Sequence, residues 1–127
     1  VLAQLIIHEV SGCAPANTFD QSAHAVGSSA APDSGSAPAT TEGEEYLFGV
    51  VGYGGTGVTV TEPGSWTNRQ PGTGMLSSAD RIVDVVGAYK YDPTLSASVA
   101  WVCTIATFKG EGQRHQTRHL RQTAGFR

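Results

Sequence analysis

The chain has 127 residues, 16 of them glycine, with 15% charged residues and a formal net charge of −3. That length makes one domain, able to bury roughly two thirds of its unfolded surface without staples, and its Gly, Ser, Thr, Ala and Val with few charges point to short strands and turns rather than helices. From Glu111 onward four arginines against one acid give +3, leaving −6 for residues 1–110, a balance that disfavours nucleic acid as partner of the folded body.

Residues 1–10, VLAQLIIHEV, form the first apolar run. β-Branched enrichment and the Ser11-Gly12 stop predict a strand. The run lacks a cationic leader, is interrupted by Gln4, and is too short for a signal core or a membrane span. His8 reads as a strand residue, because no Ser or Cys nucleophile lies in an elbow beside it. Cys13 and Cys103 allow one intramolecular pairing and stand in no metal-ligand spacing. A bridge between them requires the first and last strands to be neighbours; the simpler reading is two small buried apolar side chains.

Residues 13–43 are rich in Ala, Ser, Gly and Pro and poor in large apolar side chains, with Phe19 and Val26 as the large apolar anchors. The composition predicts an irregular surface excursion and one edge strand near residues 34–41, since Pro38 is tolerated only at an edge. Long loops are often functional, so Asp20, His24 and Asp33 are candidate ligands. They lack the DxDxDG spacing of a calcium loop and read as solvated loop residues.

Residues 44–66, EEYLFGVVGYGGTGVTVTEPGSW, organise the chain. An alternating run over 46–53, a glycine cluster, a second run over 58–61 and a Pro63-Gly64 turn predict a strand, a tight loop, a strand and a turn. Gly52, Gly54 and Gly57 satisfy GxGxxG, but the following VTVT is a β run and not a helix that could hold a pyrophosphate, so they are expected to be turn residues with positive φ. Trp66 has two readings: with Tyr46, Tyr53, Tyr89 or Tyr91 it could stack on a sugar, or it caps the core after the turn.

Residues 71–74 mark another turn. Residues 75–91 predict two strands, near 76–85 and 87–95, with Asp80, Arg81 and Asp84 as an exposed ion cluster rather than an acid/base pair. Residues 98–109, SVAWVCTIATFK, alternate so that Val99, Trp101, Cys103, Ile105 and Thr107 share one face and Ala100, Val102, Thr104, Ala106 and Phe108 the other. Both faces are largely apolar, which suits a strand in the middle of a sheet with its outer face covered, or at an assembly interface. Beyond Gly110, His115 and His119 stand four apart, a weak metal pair with no third ligand, in a segment that reads as a polar, solvated tail.

The two apolar runs echo each other, each closing in a polar residue and Gly, with Gly12 and Gly110 in equivalent places. The first strand is therefore expected to pair beside the chain's own last strand or to be exchanged with a neighbour, either of which manages an open edge.

The order of a strand closing in Ser11-Gly12, the Ala/Ser/Gly-rich excursion, Glu44-Glu45-Tyr46-Leu47, the glycine turn, Val58-Thr59-Val60-Thr61, Pro63-Gly64-Ser65-Trp66, and an Ala100-Trp101 strand closing in Lys109-Gly110 resembles the β-sandwich repeats of bacteriophage tail, other virion-associated and bacterial surface proteins. The resemblance covers residues 1–110. Ser65 separates Gly64 from Trp66 where the family pattern usually reads Pro-x-Gly-Trp, and the tail has no counterpart. It implies a structural or adhesive role and carries over no catalytic residue.

The sequence thus leads one to expect an all-β, antiparallel, jelly-roll-like β-sandwich over 1–110 with a basic polar tail over 111–127. The expected role is non-enzymatic, with no cofactor and no metal: a virion or cell-surface module that contacts copies of itself or neighbouring proteins through Leu5, Ile7, Trp101, Ile105 and Phe108. The alternative is a carbohydrate-binding module whose glycan rests on Tyr53, Trp66, Tyr89 and Tyr91.

Overall fold

A computed structural model describes residues 3–70 and 75–111. The expected turn at 71–74, the His115/His119 pair and the tail from residue 112 lie outside the described residues.

The described chain folds into seven strands: β1 (Phe19–Ser29), β2 (Glu45–Tyr53), β3 (Val60–Thr61), β4 (Thr67–Gln70), β5 (Leu76–Val83), β6 (Thr94–Leu95) and β7 (Val99–Lys109). All pairings are antiparallel, in a five-stranded sheet of order β1-β7-β2-β5-β4 and a two-stranded ribbon of β3 and β6. The ribbon packs on one face of the larger sheet, giving the all-β, sandwich-like architecture expected. Among the described residues no helix is long and apolar enough to cross a membrane.

Alternation decides which face is buried. In β2 every odd residue from Glu45 to Tyr53 is buried and every even one is only half-buried. In β7 Cys103, Ile105 and Thr107 point the same way, fully buried. Both strands lie inside the sheet, β7 between β1 and β2 and β2 between β7 and β5, but the outer face of β7 is open at Ala100 and Val102, so the cover expected for it is absent there. Between the layers lie Leu47, Val51, Ala79, Tyr91, Leu95 and Ile105, with Trp66 against Tyr91 at 4.8 Å between ring centroids.

The second layer is completed by irregular chain. Residues 34–40 run beside 87–91, with Ser34 N–H donating to the Tyr91 carbonyl, Ala37 to Tyr89 and Thr40 to Gly87. This partnership satisfies backbone groups that burial would otherwise leave costly. The strand expected near 34–41 is thus an extended segment with a partner but no assigned ladder, and the strand expected over 87–95 shrinks to β6.

Three expectations are corrected. Residues 3–10 form no strand ladder; their side chains alternate, but the segment lies across the sheet, and the chain enters backbone pairing with it at the Cys13–Gly110 bridge. The excursion over 13–43 contains β1, an 11-residue strand. Its inward residues are small, Ala23, Ala25 and Gly27, and at Gly27 Trp101 fills the space: a Cβ there would stand 2.5 Å from Trp101 Cζ2. Phe19 and Val26, read as anchors, point outward and are 56% and 75% exposed. Finally, β3 does not turn back on β2 but crosses to pair with β6. Positive φ falls on Gly55 and Gly57, whereas Gly52 lies inside β2.

Candidate functional site: an arm across the outer sheet face

The face of the five-stranded sheet turned away from the ribbon carries the unusual chemistry. Residues 3–11 cross it as an extended arm. Its alternation sets Ile6 and His8 toward the sheet and leaves Leu5 and Ile7 outward, each 82% exposed. His8 Nε2 hydrogen-bonds Ser78 Oγ at 2.9 Å, and its ring meets Phe48 edge-on at 4.9 Å between centroids. The arm ends at Gly12, whose φ of +85° suits a residue without Cβ. There the chain is fixed to the end of β7: Ala14 N–H donates to the Lys109 carbonyl, and Glu111 N–H to that of Gly12. The two glycines matched by the sequence echo are therefore spatial neighbours.

Between arm and sheet are two connected spaces. One, about 630 Å³, has mixed walls that include Glu44, Tyr46, Arg69 and Asp80 beside Val10, Cys13 and Ile82. Asp80 Oδ2 accepts from Arg69 Nε at 2.8 Å and from the Tyr46 hydroxyl at 3.0 Å. Burial, and then the adjacent Asp80 carboxylate, push the Tyr46 phenol up from its ordinary value. The carboxylate is thus engaged by two donors at one oxygen and fixes β4 to β5 and β2. The expected Asp80–Arg81 cluster does not form. Arg81 points to the opposite face, over the Tyr89 ring at 5.3 Å, and Asp80 is buried.

The second space, about 300 Å³, is apolar, bounded by Ile6, His8, Val10, Cys13, Tyr46, Phe48 and Phe108. Phe108 continues to Phe19 at 6.1 Å and to Tyr46 at 6.3 Å between centroids. Aromatic surface therefore extends from under the arm to the sheet edge at β1. Beyond it the outer faces of β1 and β7 lie bare, with Val26 75% and Val102 47% exposed.

The residues expected at an assembly contact divide between the faces. Leu5, Ile7 and Phe108 belong to the outer face. Ile105 is fully buried in the core, and Trp101 lies on the inner side, its Nε1–H donating to Ser29 Oγ at 3.0 Å. Strand alternation put both on Cys103's face, and that face is the core. Of the carbohydrate candidates, Trp66, Tyr53 and Tyr91 are buried and Tyr89 is half-buried with its hydroxyl bonded to the Val85 carbonyl. A sugar platform needs exposed ring faces, and these rings do not present one. Trp66 is the core cap of the second reading.

The loop candidates hold the chain to itself. Asp20 accepts from Thr41 N–H at 2.7 Å and Thr41 Oγ1 at 2.8 Å. Asp33 accepts from Gly35 N–H at 2.8 Å and from Lys90 Nζ at 3.0 Å. Burial acts to raise both carboxyls, but hydrogen bonding outweighs it and holds them below the usual range, at Asp20 from the neighbouring Glu45 carboxyl and then Thr41, at Asp33 from Gly35 and Lys90. His24 is exposed on the outer face of β1. Among the described residues no group of three or more His, Cys, Asp or Glu could hold a metal ion. Cys13 and Cys103 are free thiols; Cys103 is buried, its Sγ 3.3 Å from the Tyr91 carbonyl, and burial pushes it up to about 12.

Sequence reasoning missed Glu45. It is fully buried at the start of β2, its carboxyl beside that of Asp20. Burial, reinforced by the Asp20 carboxyl, raises it to about 7. The signal was present in the alternation: if Leu47 and Val51 face the core, so does Glu45.

Comparisons with protein-family models, with curated proteins and with solved structures return no match to this chain.

Proposed function

We propose that this chain is a non-enzymatic structural module that makes protein–protein contacts through the outer face of its five-stranded sheet, within a virion-associated or cell-surface assembly. One observation carries the reading: Leu5, Ile7, Phe19, Val26 and Val102, all substantially exposed, lie on the same side of one sheet. Scattered exposed apolar residues are ordinary, whereas five large ones gathered on one sheet face favour an interaction site. The polar groups nearby are engaged with one another, Asp80 by Arg69 and Tyr46 and His8 by Ser78, and so favour scaffold over chemistry. The virion or surface setting rests on the resemblance of residues 1–110 to sandwich repeats of such proteins.

The test is the mass in solution by light scattering during size exclusion, on the full chain and on one lacking residues 1–10. The expected result is an oligomer for the full chain that is lost on truncation. A full chain that remains monomeric at high micromolar concentration and captures no other protein overturns the reading.

A further inference from the structure

We propose that the outer face is self-complementary and docks on the same face of a second copy of this chain, each copy's arm seated over β1 and β7 of the other. The proposal rests on the assembly reading above and names its partner.

The outer face has two levels. Over β2 and β5 the arm stands one layer above the sheet, with Leu5 and Ile7 on its crest. Over β1 and residues 99–104 of β7 the outer face is open, the arm reaching β7 near Phe108, and Val26 and Val102 form the floor of the resulting trough. A two-fold axis lying in the interface and parallel to the strands carries crest to trough and trough to crest in one operation, which is the condition for a closed, isologous contact.

The register agrees. Leu5 lies beside Leu76; Leu76 pairs with Gly52, Gly52 with Val102, and Val102 with Val26. These residues stand at one height along the strands. An axis parallel to the strands preserves height, so it sets Leu5 of one copy against Val26 and Val102 of the other.

Charge permits it. Each body carries −6, but Ser22, His24, Val26, Val102 and Thr104 give the trough neither a carboxylate nor a Lys or Arg. The exposed acid of the arm, Glu9, meets a surface whose titratable group is His24. The area also suffices. An arm about 30 Å long at about 3.3 Å per residue, and about 10 Å wide, covers about 300 Å². Two crests and two troughs then bury about 1,200 Å², the lower bound for a stable specific interface.

The test is a concentration series by light scattering on the full chain, on Val26→Asp and on Leu5→Asp. Both side chains are exposed, so at a concentration where every chain is monomeric thermal unfolding of the variants should match wild type. The expected result is a wild-type dimer whose dissociation midpoint rises at least about tenfold in either variant, because each brings an unpaired carboxylate to an apolar contact. Separately, Leu5→Cys/Val26→Cys in a Cys13→Ser chain should oxidise to a covalent dimer, and neither single cysteine change should. An oligomer whose midpoint ignores both carboxylates lies on another surface and overturns this proposal, while the assembly reading survives. A monomer that captures a different protein through residues 1–10 does the same. A monomer that captures nothing overturns both.

Discussion

The ring of Tyr91 lies flat against Gly49: a Cβ on Gly49 would stand 2.5 Å from Tyr91 Cγ and 2.7 Å from both Cδ atoms. Glycine in the middle of a central strand sacrifices β propensity, and here it makes room for the largest fully buried side chain. Tyr91 is fixed beyond its ring, donating through its hydroxyl to Glu62 at 2.7 Å. Gly49→Ala must therefore displace a side chain with nowhere to go. It is expected to destabilise the fold by roughly 1–3 kcal/mol, the range for overpacking a core, read as a lower urea midpoint with unchanged slope. An unchanged midpoint would mean the second layer yields easily over β2.

Glu45 gives the fold an unusual pH dependence. Its folded value of about 7 lies above the ordinary 4.5. Between those values the native state keeps a proton that the unfolded chain releases, so stability falls as pH rises through this window and levels off above it. Asp20 acts in the opposite sense at lower pH: its folded value is lowered, so its contribution is present above the unfolded 3.8 and lost on acidification. A shift of one unit is about 1.4 kcal/mol, so the decline from about pH 5 to about pH 8 is on the order of 2–3 kcal/mol. Glu45→Gln should flatten it. Urea midpoints across this range measure both, and a wild-type chain more stable at about pH 8 than at about pH 5 contradicts the assignment.

How far these features were legible differs by element. β2 and β7 could be read because they carry large apolar residues at alternate positions and lie inside the sheet with their odd-numbered faces in the core. β1 could not, because its inward positions are Ala23, Ala25 and Gly27, the last kept bare by the bulk of Trp101 opposite it on β7. A pattern set by a residue more than 70 positions away leaves no local periodicity. The arm failed in the opposite way: VLAQLIIHEV has a strand's composition, but composition cannot tell a segment in a sheet from one lying upon it. For the candidate site, Leu5, Ile7 and Phe108 were legible as apolar residues without an assigned place in the core. Val26 and Phe19 were seen but read as anchors of an irregular excursion, whereas they are exposed on a strand.

The two thiols should behave differently. Cys13 is half-buried beside the apolar space under the arm, whereas Cys103 is buried at the sheet centre with its thiol pushed up to about 12 by burial. The thiolate is the reacting species, so a maleimide or disulfide reagent should modify Cys13 faster by more than about tenfold. Denaturant should then release a second equivalent. Mass spectrometry of partly labelled protein distinguishes the sites. Equal rates, or a bridge that only a reductant opens, would remove the assignment of Cys103 to a sealed inner face.

His8 should hold the arm down. Its hydrogen bond to Ser78 and its edge contact with Phe48 are made from a segment without a strand ladder. Such contacts contribute roughly 1–2 kcal/mol together, a large part of what keeps so short a segment in place. His8→Ala is therefore expected to speed proteolytic cleavage within residues 3–11 by several-fold while the global unfolding midpoint moves little. The two readouts separate a local latch from a core residue, since opening a segment that lies on the sheet need not open the sheet. If cleavage stays slow, the rest of the arm suffices to seat it. If the midpoint falls in step with cleavage, the arm is part of the cooperative fold rather than a layer resting on it.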